Sequence, residues 1–173
     1  MESSHAVIVA IRFIYIFLSF LNNVQCHNSD EHNLDNLLCK QCGNTIASTH
    51  DIRSFSSKLA IKHWNQTLLN IPNVLVQLFE NPHKMRFNVI TLSNANVYMH
   101  EQVYNTDTWF PNYSWSMSVC SKCGTHLGWK YQPTNFNHIT HYKNETFFGL
   151  ILDKLLEEHL SDTLLLVPNS YKS

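Results

Sequence analysis

From Met85 onward, apolar and polar residues alternate in short runs, the period-2 pattern of half-buried β-strands. MRFNVITL (85–92) alternates in part, SNAN supplies a turn, and VYMHEQVYN (97–105) alternates again. In that last run Val97, Met99 and Val103 are the inward-facing candidates. Trp115 to Val119, Phe136 to His141 and Thr146 to Ile151 are further strands, and Thr45 to Ser57 reads as a strand or hairpin arm. Between Lys58 and Lys84 no single period holds. That stretch suggests a short helix around Leu59–Leu69, broken at Ile71-Pro72-Asn73 and Asn81-Pro82-His83. Asp153 to Leu160 suits a short helix, followed by an apolar patch at Leu164–Val167. The prediction is a mainly β domain over 38–152, flanked by a polar arm (27–37) and a tail (153–173).

Ala6 to Leu21 is apolar in a different way, nearly continuous and interrupted only by Arg12 and Ser19. With Val24-Gln25-Cys26 behind it, the run reads as a secretory signal peptide over residues 1–26, short for a stable membrane span. The expectation is a secreted chain with no membrane association after cleavage. Three N-glycosylation sequons, at Asn65, Asn112 and Asn144, agree with that route. Twelve Lys and Arg against thirteen Asp and Glu give a net charge of -1, which argues against a broad nucleic-acid footprint.

Cleavage after Cys26 leaves Cys39, Cys42, Cys120 and Cys123, two C-x2-C pairs separated by most of the domain. Each pair can chelate from one turn, and glycine follows each second cysteine, where the backbone turns under a metal. Disulfides are the competing reading in a secreted chain, but the paired turns favour Zn2+. Four thiolates close the coordination shell, so the metal is structural. Trp109, Trp115 and Trp129 crowd the span around the second pair at spacings that suit neither helix nor strand. They either pack beside the metal or wall a pocket.

These residues resemble a known family. Cys39-Lys40-Gln41-Cys42, NANVYMHE (94–101), WFPNYSW (109–115), Cys120-Ser121-Lys122-Cys123, HLGWKY (126–131) and Phe147-Phe148-Gly149-Leu150 look like the CULT domain, the thalidomide-binding domain of cereblon. The resemblance covers about Leu38 to Leu150, and with the signal peptide it is similar to secreted single-domain CULT proteins. It implies a β-tent: two antiparallel sheets meeting at an angle and pinned by one structural zinc. It also implies a pocket for cyclic imides or uracil-like rings, with Trp109, Trp115 and Trp129 as walls. Tyr131 would stand where the family usually has Phe, and Asn94 would sit at the rim.

Departures from the family pattern sharpen these expectations. Asp107 replaces a histidine, and an ionised carboxylate accepts hydrogen bonds but donates none. Rings bearing amino or cationic groups should therefore be tolerated. Asn112 replaces a glycine in an aromatic turn, and residues 58–84 look like an insertion. The part of cereblon that docks on the ubiquitin-ligase scaffold has no counterpart here, so that partnership is not implied; a monomeric binding module is. The enzyme alternative is a methionine sulfoxide reductase of the B type, which shares the fold but needs a nucleophilic thiolate besides the zinc ligands. After Cys123 there is no cysteine. A protein-interaction module whose tryptophans merely fill the core is the third reading.

Overall fold

The computed structural model describes residues 35–135 and 145–160 of the chain. Among these residues eleven strands follow one another: β1 (Asn36–Cys39), β2 (Thr45–Ser48), β3 (Ile52–Arg53), β4 (Lys62–Leu68), β5 (Ile71–Glu80), β6 (Arg86–Leu92), β7 (Val97–Met99), β8 (Tyr113–Cys120), β9 (His126–Pro133), β10 (Phe147–Ile151) and β11 (Leu155–Glu157). All pair antiparallel, in two sheets. The smaller sheet has the order β11-β1-β2, and the larger runs β4-β5-β6-β10-β9-β8-β7, with β3 beside β6. The expected mainly β fold of two antiparallel sheets is what forms. No helix among the described residues is long and apolar enough to cross a membrane.

The larger sheet is apolar on both faces, which is why FFGLI and part of MRFNVITL read as near-continuous apolar runs. On one face Ile90, Leu92, Phe148 and Leu150 pack with Leu37, Ile46 and Leu155 of the smaller sheet. On the other, Phe79, Val89, Tyr131 and Phe147 meet Phe110 and Phe55, carried on loops. Each such fully buried side chain contributes about 1.5–3 kcal/mol. Gly128 lets β9 approach β10 at the seam. Its φ is +152°, and a Cβ there would lie 2.1 Å from the Gly149 carbonyl oxygen.

Several expectations change. The helix around Leu59–Leu69 does not form; β4 and β5 make a long hairpin paired from Lys62↔Leu78 to Leu68↔Ile71. Its two-residue turn, Leu69-Asn70, has φ of +50° and +59° at successive positions. Two positive φ values match the twist of a tight hairpin. Asn suits that conformation, whereas Leu69 is held there by burial of its side chain and by its amide donating to Glu157 Oε2 at 2.6 Å. Residues 58–84 are thus woven into the sheet. At the ends, β1 takes up Asn36 and Leu37 from the supposed arm. Within the span expected as a helix, Leu155–Glu157 form β11 beside β1, between a 3-10 turn at Leu152–Lys154 and helical residues 158–160. In the 97–105 run only Val97 packs inward. The strand ends at Met99, and Met99 and Val103 are 38% and 40% exposed. The signal peptide, the strand expected at Phe136–His141, Asn144 and the Leu164–Val167 patch lie outside the described residues.

Candidate functional site

Two turns of the same design bring the four cysteines together. The Gly43 and Gly124 amides donate to the carbonyls of Cys39 and Cys120, at 2.8 and 2.9 Å, and both glycines have φ near +70°. Cys39 and Cys120 donate in turn to Asn44 and Thr125 carbonyls, both at 2.8 Å. All four Sγ atoms lie within 4.8 Å of one another. The Cys39–Cys123 and Cys42–Cys120 separations are both 3.7 Å. A Zn–S bond of ~2.3 Å gives a tetrahedral edge of about 3.8 Å, so the donor set fits Zn2+. In the metal-free state burial pushes the Cys39 thiol up to about 12. The neighbouring Thr125 hydroxyl and backbone bring Cys123 down to about 6.

The strand pair β8–β9 carries the aromatic residues. Tyr113↔Pro133, Trp115↔Tyr131 and Met117↔Trp129 stand opposite one another. Along β8 the alternation is inverted: Ser114, Ser116 and Ser118 are buried, while Trp115 is half-buried and Met117 exposed. The large side chains face outward because they build a cavity. Trp109, Trp115, Trp129, Tyr131 and Asp107 line it, together with Asn81, Pro82 and His83. Its volume is about 250 Å3.

Each wall is braced. Trp109 lies parallel to Phe79, with centroids 4.8 Å apart, and stands at 73° to Trp129. Its indole N–H donates to the Glu80 carbonyl at 3.2 Å. The Trp115 indole donates to the Thr106 carbonyl at 2.8 Å, and Tyr104 stacks on its ring at 4.6 Å. Trp129 has Phe87 and His126 edge-on against it. Burial pushes the His126 pKa down, and its Nε2 lies 3.0 Å from the Gly128 carbonyl oxygen. Tyr131 is the floor. Only 2% of it is exposed, it stacks on Phe147, and burial drives its phenol far above the usual range, keeping it neutral.

The zinc site and cage are joined through β8 and β9, since Cys120 ends β8 and His126–Tyr131 follow the second turn directly. Five of the six expected ligand residues come together. Asn94 does not: it borders a separate groove with Thr45, Ser48 and Asp51. Asn81-Pro82-His83 takes the rim instead, at the turn between β5 and β6. By sequence that tripeptide reads only as a break; the apolar run Val74–Phe79, interrupted by Gln77 alone, is the signal that a strand leads into it. Also missed was Ser57, whose hydroxyl donates to the Trp109 carbonyl.

A family profile described as "Yippee zinc-binding/DNA-binding /Mis18, centromere assembly" matches residues 36–162. The chain belongs to the Yippee-Mis18 family. Among curated proteins it is similar to protein cereblon of Gallus gallus, 27% identical over 140 residues, which is 80% of this chain and 27% of that protein. Cereblon of Xenopus tropicalis is 29% identical over 103 residues, 53% and 23% of the two chains. Drosophila melanogaster cereblon is 27% identical over 112 residues, 65% and 16%. This chain therefore spans about a quarter or less of these relatives' length. Its domain is cereblon-like and of the CULT type, with zinc as the metal of the four-cysteine site.

Proposed function

We propose that this chain is a secreted, zinc-pinned binding module, not an enzyme, whose tryptophan cage takes one small flat ring with an amide edge, such as a cyclic imide or a uracil-like compound. The observation that carries the reading is the cavity of about 250 Å3 walled by three half-buried indoles over a buried Tyr131. That volume lies just under the roughly 300–1,000 Å3 typical of drug-sized sites, which suits a single ring. Flat faces can bury both sides of such a ring, and backbone groups near Asp107–Trp109 can meet its amide edge. The likeness to cereblon and the CULT pattern of the sequence support the same ligand class. Tryptophans serving only as core would be buried, yet all three keep partial exposure.

A reductase reading has little to stand on: among the described residues every cysteine belongs to the metal cluster, leaving no separate thiol nucleophile. Secretion is supported by the apolar run at Ala6–Leu21 and the sequons. The test is a titration of zinc-loaded protein with glutarimide and with uracil, read by tryptophan fluorescence and by protection from acrylamide quenching. Saturable protection is expected. A folded, zinc-replete protein whose tryptophans respond to neither ring would overturn the reading.

A further inference from the structure

We infer that the ring this cage prefers carries a compact cationic group, held between the indole faces and the Asp107 carboxylate. The inference rests on the cage reading above and names the class of ligand within it. Three features converge. First, the Trp109 and Trp115 indole N–H groups are engaged by the Glu80 and Thr106 carbonyls. Their electropositive edges are thereby tied to backbone, while the rings line the cavity. Aromatic faces carry the negative part of the ring quadrupole and attract cations, tryptophan most strongly.

Second, Asp107 is the one carboxylate among the described lining residues. Among the described residues it makes no salt bridge, whereas the nearby cations Lys84 and Arg86 are both engaged by Glu80, at 3.1 and 3.0 Å. Among the described residues neither lysine nor arginine lines the cavity. The site therefore offers a carboxylate with no lysine or arginine counter-ion among the described residues. A carbonyl oxygen placed against it meets another acceptor, while an ammonium group meets both a charge and π faces.

Third, Asp107 has φ of +54°, the left-handed region that Asp and Asn tolerate better than other non-glycine residues. The loop thus presents a short acidic side chain at the rim. Asn can replace it with the same shape and backbone and without the charge.

The experiment compares three rings on the zinc-loaded full chain: glutarimide, 3-trimethylammonio-glutarimide and its uncharged isostere 3-tert-butyl-glutarimide. Tryptophan fluorescence reports binding to wild type and to Asp107→Asn, with zinc content checked for each. The charged ring is expected to bind wild type about tenfold more tightly than the isostere. That preference should fall severalfold in Asp107→Asn and, independently of any variant, should shrink in high salt. If glutarimide binds but charged and uncharged rings bind equally, or neither substituted ring binds, the inference is overturned while the cage reading stands. If none of the three perturbs the tryptophans, both fall.

Discussion

The hydroxyl of Ser57 donates to the backbone carbonyl of Trp109, tying the segment before β4 to one wall of the cage. Ser57 is itself held. Its amide donates to Gln77 Oε1 at 2.7 Å, and Gln77 Nε2 donates to the Phe55 carbonyl at 2.8 Å. Ser57 and Gln77 are 2% and 0% exposed, so these bonds are made where water cannot replace them. A buried amide with both ends satisfied fixes the strap, and the strap fixes Trp109.

Ser57→Ala is accordingly expected to weaken ring binding with zinc retained. Loss of a buried bond of this kind costs about 1 kcal/mol or more, which is roughly fivefold in affinity if it falls on the bound state. Fluorescence titration alongside metal analysis checks it. Unchanged affinity would mean that Phe79 stacking and the indole bond to the Glu80 carbonyl hold the wall without Ser57.

Trp129→Ala removes a wall that stands perpendicular to Trp109. Its area and stacking are worth about 1–3 kcal/mol, so ring affinity should drop roughly ten- to a hundredfold. Zinc should stay bound, because no cysteine is touched. A variant that loses metal and unfolds would instead show that Trp129 is chiefly core.

Zinc links the two knuckles, and removing it is expected to unfold the domain, since metal binding and folding free energy are the same quantity here. Acid should have a graded effect. At neutral pH the metal-free Cys39 thiol, at about 12, holds a proton that Zn2+ must displace, while Cys123, at about 6, is already mostly thiolate. Lowering the pH protonates Cys123 as well. Zinc affinity should therefore fall as pH falls, more steeply below about pH 6. Competition with a chromophoric chelator across that range measures it, and a flat profile would exclude thiolate ligation.

Gly128→Ala places a Cβ 2.1 Å from the Gly149 carbonyl oxygen on a backbone with φ of +152°. Strain and overpacking each cost about 1–3 kcal/mol, so roughly 2–6 kcal/mol of stability should be lost. Chemical denaturation of the zinc-loaded protein reads the difference. Gly43→Ala, at a turn with open space around the Cβ position, should cost less.

Glycan occupancy should follow the surroundings of each sequon. Asn65 is exposed on β4, an edge strand, whereas Asn112 sits at φ +68° in the turn before β8, close in sequence to the cage walls. Asn65 is expected to be occupied more fully than Asn112 in secreted material. Peptide mapping that finds the reverse would contradict it.

The sequence by itself determined the parts whose physics is local. Each cysteine turn is built from neighbouring residues, with glycine at the position needing positive φ, so the ligand set could be read without the fold. Alternation identified Trp115–Val119, the middle of β8, and the apolar runs of β6 and β10, and the three tryptophans stood out by type. Tertiary structure decided what depends on register between distant strands. Leu69-Asn70 forms a tight turn only because Leu69 is buried and its amide meets Glu157, 88 residues away. Ser57 and Trp109 meet across 52 residues. Asn81-Pro82-His83 reaches the cage only because β5 runs alongside β6, and Asn94 is carried away from it on the loop before β7. The buried serines of β8 make the point most directly. A periodic pattern says that two faces differ, but which face is covered depends on what the rest of the chain lays against it.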